Sequence, residues 1–140
     1  MTPSRTATVW LAIDDADTGN ACMRFIPGSH RHGHLTYHLS EADENNVLFQ
    51  TVRDAENYGD PIDVELKAGE ISIHSDLLLH SSHYNESDRR RCGLTLRYVA
   101  PHVSQPEINS LGGKYPTILI RGEDRYHNFP EQPRPFPLAS

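Results

Sequence analysis

Residues 6–13, TATVWLAI, run directly into the polar turn DDADTGN, and this alternation of a short apolar run with a Gly- or Pro-bearing turn governs most of the chain. Runs of about eight residues are too short for a core helix, and β-branched residues such as Thr6, Thr8 and Val9 favour extended backbone. The same reading gives strands over 21–26 (ACMRFI, stopped by Pro27-Gly28), 61–66, 71–80, 91–99 and 117–121. The first two runs are expected to form a hairpin across the Asp-rich turn. Many short strands with little helical periodicity predict an all-β fold, a sandwich, jelly roll or cupin-like double-stranded β-helix.

Two stretches depart from the pattern. Residues 34–60 are polar and weakly periodic, and read as a long loop or a short helix over 41–53, with Ser40 and Asp43 as a candidate cap. From Pro130 onward four of the ten prolines fall within eleven residues, so 130–140 is expected to be an extended, poorly packed tail after a domain spanning 1–129.

Composition excludes some functions. A formal net charge of −6 opposes nucleic-acid binding, which needs a basic face, and Arg89-Arg90-Arg91 is the only basic cluster. No run approaches the ~18 apolar residues of a membrane span. Two cysteines give no disulfide framework, and a cytoplasmic location is the expectation. Nine histidines are unusual for 140 residues and direct attention to metal.

The run HSDLLLHSSHYNESDRRR, at 74–91, concentrates that signal. His74, Asp76 and His80 have the residue types of a two-His-one-carboxylate iron site. If 71–80 is one strand, all three share a face. Their spacing opposes a common metal, because six extended residues separate His74 from His80 by ~20 Å, and only a sharp break near Leu77 would bring them together. A hairpin centred near 85–86 would instead set Arg91 roughly opposite His80, with Ser82 on the same face. A ligand, a hydroxyl and a guanidinium would then suit a metal beside an anionic co-substrate. His30, His32, His34 and His38 form a second His-rich tract, in what reads as loop.

The stretches TVWLAIDDADTGNACMRFIPGSHRHG (8–33), AGEISIHSDLLLHSSHYNESDRRRCGLTLRYVAP (68–101) and RGEDRYHNF (121–129) resemble the phytanoyl-CoA dioxygenase family of Fe(II)/2-oxoglutarate oxygenases. The resemblance implies a double-stranded β-helix, incomplete at its N-terminal side. It further implies Fe(II), 2-oxoglutarate and O2 as cofactor and co-substrates, and a small organic molecule as substrate. His80 matches the distal iron-binding histidine, Arg91 the arginine that grips the far carboxylate of 2-oxoglutarate, and Ser82 the hydroxyl beside it. Trp10 matches a position facing the active-site mouth, and His74 a position that is not an iron ligand; both are candidate substrate-binding residues. The family's His-x-Asp motif belongs on the strand before TVWLAIDD, and is therefore expected before residue 1. Open strand edges would then favour pairing with a second copy. Two other readings compete: a non-catalytic β-sandwich binding module, and a self-contained cupin-type metal site built from His74, Asp76, His80 or His83, within one chain or across a homodimer.

Overall fold

The computed structural model describes residues 3–39, 50–105 and 113–135. Eight strands occur in it: β1 (Thr6–Ala12), β2 (Met23–Phe25), β3 (His38–Leu39), β4 (Gln50–Thr51), β5 (Ile62–Val64), β6 (Ile71–Ser75), β7 (His80–Ser82) and β8 (Gly93–Val99). Three short 3-10 turns, Thr18–Asn20, Ser29–His32 and Ala55–Tyr58, are the only helical elements among the described residues. The expected all-β class is therefore what the chain adopts. Among the described residues no helix is long and apolar enough to cross a membrane.

The chain divides into two compact units, Ala7–Arg97, and Met1–Thr6 with Tyr98–Ser140. In the first, two three-stranded sheets have the orders β6-β1-β8 and β5-β2-β7. β1 runs antiparallel to β6 with Thr8 opposite His74 and Trp10 opposite Ser72. β2 runs antiparallel to both β5 and β7, setting Phe25 between Ile62 and His80. The alternation of β1 sends Thr8, Trp10 and Ala12 inward, where Trp10 and Ala12 join Ala16, Cys22 and Met23 in the core, with Phe25 and Leu66 packed against it. Gly93 is required at the start of β8, because a Cβ there would fall inside the Trp10 indole.

Several expectations are corrected here. β1 and β2 form no hairpin; each enters a different sheet. The Asp-rich turn between them contains a 3-10 turn capped by Asp17 and closed by Ala21 in the left-handed region (φ 60°), which redirects the chain. The run 71–80 is two strands, not one. β7 and β8 likewise belong to different sheets, so no 80–91 hairpin forms. In 34–60, His38–Leu39 pairs with Gln50–Thr51 and a 3-10 turn follows, so this stretch is neither pure loop nor a 41–53 helix at its described end; residues 40–49 lie outside the described residues.

In the second unit, 117–121 is no strand. Thr117 makes a single parallel bridge with Glu131, supported by bonds from Thr117 N–H to the Pro130 carbonyl (2.9 Å) and from Gln132 N–H to the Thr117 carbonyl (2.7 Å). Arg134 donates to the carbonyls of Leu119 (2.6 and 2.9 Å) and Ile120 (2.8 Å), so the tail is anchored at least to that point. Residues 136–140 lie outside the described residues. Gln105 ties this unit together through Tyr115 and the Asn128 carbonyl.

Candidate metal and co-substrate site

The break inside 71–80 creates the site. Ser75 ends β6 by capping a turn, accepting at its carbonyl from Leu78 N–H (3.1 Å) and at its hydroxyl from Leu77 N–H (3.2 Å). Leu79 N–H then donates to the hydroxyl of the wholly buried Ser29 (2.9 Å), and the Leu79 carbonyl accepts from Ile26 N–H (3.0 Å). The chain thus turns at 76–79 and crosses from one sheet to the other. His74 and His80 are brought together, their ring centroids 5.3 Å apart. The ~20 Å separation expected of an unbroken strand is overturned, because that figure presupposed continuous extension.

The iron triad still does not assemble from this run. Asp76 is exposed beside the Ser75 hydroxyl (3.3 Å), and among the described residues no group of three His, Cys, Asp or Glu side chains converges as a metal site. His83 is engaged elsewhere, its Nε2 2.9 Å from the Arg24 guanidinium, which also pairs with Asp63 at 3.0 Å. Within one chain, a centre of His74, Asp76 and His80 or His83 does not assemble among the described residues. In the second His-rich tract, the His32 ring packs edge-on against Tyr58 at 5.1 Å.

His80 is exposed and oriented. Its Nδ1 lies 2.8 Å from the Leu78 carbonyl, which can only accept, so Nδ1 carries a proton and, in the neutral ring, Nε2 keeps its lone pair. That is the tautomer of a metal-binding imidazole steadied by a backbone carbonyl. Ser82 lies two residues further along β7, exposed and on the same face by alternation.

His74 differs. It is nine-tenths buried, and its Nδ1 has no hydrogen-bond partner. Burial, then the neighbouring His80 and Arg97, hold its pKa below the usual 6.5, so the ring is neutral at neutral pH. Phe25 packs on both rings, at 4.8 Å from His74 and edge-on at 6.4 Å from His80.

Arg91 precedes the β8 position that lies against Trp10 by two residues. Of the three consecutive arginines, Arg89 pairs with Asp17 and Arg90 with Asp14. Arg91 has no ion pair among the described residues, and its Nε is buried without a partner. An orphaned, buried guanidinium nitrogen fits an anionic ligand. Trp10 itself is a core residue, only 7% exposed.

These features coincide with a family match. The family described as Phytanoyl-CoA dioxygenase (PhyH) matches residues 1–93, about two thirds of the chain. The chain belongs to the phytanoyl-CoA dioxygenase family. Among curated members it is similar to the phytanoyl-CoA dioxygenase of Arabidopsis thaliana, 34% identical over 98 residues that make up 69% of this chain and 34% of that protein. Among solved structures it is similar to the apo form of the non-heme monooxygenase ThoJ. That match has a TM-score of 0.68 and 30% identity, covering 93% of this chain and 44% of that one. It is also similar to the non-heme alpha-ketoglutarate-dependent epimerase SnoN from nogalamycin biosynthesis, with a TM-score of 0.53, 25% identity, and 72% and 34% of the two chains covered. The chain thus spans about a third of the length of the curated family members it matches.

Within this family fold, reading the sequence missed Phe25, Ser29 and Leu78. Phe25 was placed on a strand, but its contact with two histidines depends on β2 pairing with β7. Ser29 follows Pro27-Gly28 with nothing in the local sequence to mark it, and only the fold shows its full burial.

Proposed function

We propose that this chain carries the His80–Arg91 half of the active site of an Fe(II)/2-oxoglutarate-dependent dioxygenase that hydroxylates a small organic substrate. The observation that carries this reading is His80, with Nδ1 fixed by the Leu78 carbonyl and Nε2 left open. Family membership supports it, as does the orphaned Nε of Arg91.

Each residue has a separate role. His80 would hold Fe(II) through Nε2, with its ring angle set by the turn 76–79. Arg91 would bind the distal carboxylate of 2-oxoglutarate, where a planar guanidinium matches both oxygens. Ser82 would donate a hydroxyl hydrogen bond to the same carboxylate. Neutral His74 and the rim of Trp10 would face the substrate, and Phe25 would exclude water from between the histidines. Bound Fe(II) would supply the oxidation, with one atom of O2 going to the substrate hydroxyl and the other to the succinate formed with CO2 from 2-oxoglutarate. Within 34–60, the described stretches 34–39 and 50–60 are our candidate for a cover over the substrate. We further assign the protein to the cytoplasm, with no nucleic-acid or membrane partner, and to self-association through the open edges of β6 or β8.

The test is anaerobic Fe(II) titration of the 140-residue chain, followed by a succinate assay with 2-oxoglutarate. Metal binding that is lost in His80→Ala supports the reading. A chain that binds neither iron nor 2-oxoglutarate would instead point to a non-catalytic binding module, or to a site that needs ligands from outside these 140 residues.

A further inference from the structure

We propose that the acidic turn 14–20 is a positioning device for Arg91. It fixes the backbone on both sides of that residue and absorbs the charges of its two neighbours. Arg91 is then the one arginine of the three left to meet an anion. The inference rests on the assignment of Arg91 to the co-substrate carboxylate, and adds the residues that hold it in place.

Asp14 makes the central contacts. Its carboxylate accepts from Arg90 through Nε and Nη2, both at 2.8 Å, and from the backbone N–H of Cys92 at 3.0 Å. The Cys92 carbonyl accepts in return from Ile13 N–H (3.0 Å) and Asp14 N–H (3.3 Å). On the other side of Arg91, the Arg90 carbonyl accepts from Asn20 Nδ2 at 3.3 Å. Asn20 is fully buried and is held by the Asp15 carbonyl (2.8 Å) and by Asp17 N–H (2.8 Å). Residues 90 and 92 are therefore both tied to the same turn.

Asp17 completes the arrangement by gripping Arg89 in a two-pronged pair of 2.9 and 2.6 Å. Gly19 leaves room for it, since a Cβ there would stand 2.7 Å from Arg89 Nη2. Three carboxylates, Asp14, Asp15 and Asp17, thus face three cations, Arg90, Lys67 and Arg89. A fourth carboxylate, Glu65, accepts from Thr18 N–H at 3.1 Å, so what the turn gives Arg91 is a fixed backbone rather than a neutral surrounding. Exposed ion pairs add little stability, whereas two-pronged Arg–carboxylate pairs fix geometry closely.

Nuclear magnetic resonance of the arginine Nε–H groups tests this. The Arg91 signal is assigned by its loss in Arg91→Lys and followed during titration with 2-oxoglutarate. In Asp14→Ala the Arg91 signal should move and broaden, and 2-oxoglutarate affinity should fall roughly tenfold. Asp14→Asn keeps an oxygen for Cys92 N–H and should stay within about threefold of the parent. Lys67→Ala removes an exposed ion pair of the same turn and should change nothing. Should Asp14→Ala lose its folded spectrum, the exposed Arg90→Ala replaces it, with the same direction and a smaller shift. An Arg91 signal identical to the parent's in these variants would overturn the proposal, as would an equal response to Lys67→Ala. If 2-oxoglutarate leaves the parent's Arg91 signal unmoved, the co-substrate assignment fails. The positioning claim is then still decided by the ligand-free spectra.

Discussion

The β6 end and the β7 end of the run 74–80 each present a histidine, with ring centroids 5.3 Å apart, in opposite physical situations. His74 is buried, lacks a partner at Nδ1 and resists protonation. His80 is exposed, with Nδ1 satisfied by a backbone carbonyl and Nε2 open. A metal donor needs an oriented ring with a free nitrogen, whereas a buried unpartnered nitrogen carries a desolvation cost. The two rings therefore differ in burial and in hydrogen bonding, although they stand side by side.

The largest expected effect comes from His80→Ala. Metal affinity, read by calorimetric titration, should drop at least ~100-fold, with the thermal midpoint nearly unchanged because the side chain is exposed. His74→Ala should do the reverse. Urea unfolding should show a loss of roughly 1–3 kcal/mol for the cavity beside Phe25, and metal binding should weaken less than in His80→Ala. The inverted pattern would exchange the two assignments.

Acid should separate the histidines further. His74 has a folded pKa below 6.5, so below that pH the unfolded chain binds more protons than the folded one. The stability it contributes is present above 6.5 and is lost as pH falls through the lower folded value. Thermal midpoints across this range should decline on acidification, and His74→Phe should flatten the slope. A second decline belongs to Asp17, whose carboxyl is held at about 2 instead of 3.8, chiefly by Arg89. That contribution is lost as pH falls from 3.8 through about 2. The smallest effect is Ser82→Ala, which should weaken 2-oxoglutarate binding by about two- to threefold and leave metal affinity unaltered.

The strands themselves were largely legible. TATVWLAI, ACMRFI and RCGLTLRYV owe their extended form to local composition, and β1, β2 and β8 lie within them. The pairing was not legible, because it is decided by contacts distant in sequence. Leu77-Leu78-Leu79 looks like a continuing apolar strand, and the donor–acceptor bond that bends it involves Ser29, fifty residues away. The same holds for Arg89 and Arg90, whose acidic partners lie 72 and 76 residues earlier. His80, Ser82 and Arg91 were reached through a spaced motif resembling a family, and the fold then supplied the tautomer and the orphaned nitrogen. The expected hairpin between His80 and Arg91 failed because β7 and β8 were claimed by different neighbours.

The contact between Trp10 and Gly93 has an optical consequence. Trp10 is the chain's single tryptophan, shielded from water and lying against Gly93, two residues after Arg91 in the sequence. All indole emission from this protein therefore originates against Gly93, two positions from Arg91, whose proposed role is to line the co-substrate pocket. Its intensity and wavelength should register loading of that pocket with no label attached, and Gly93→Ala, by displacing the ring, should shift the emission toward the red.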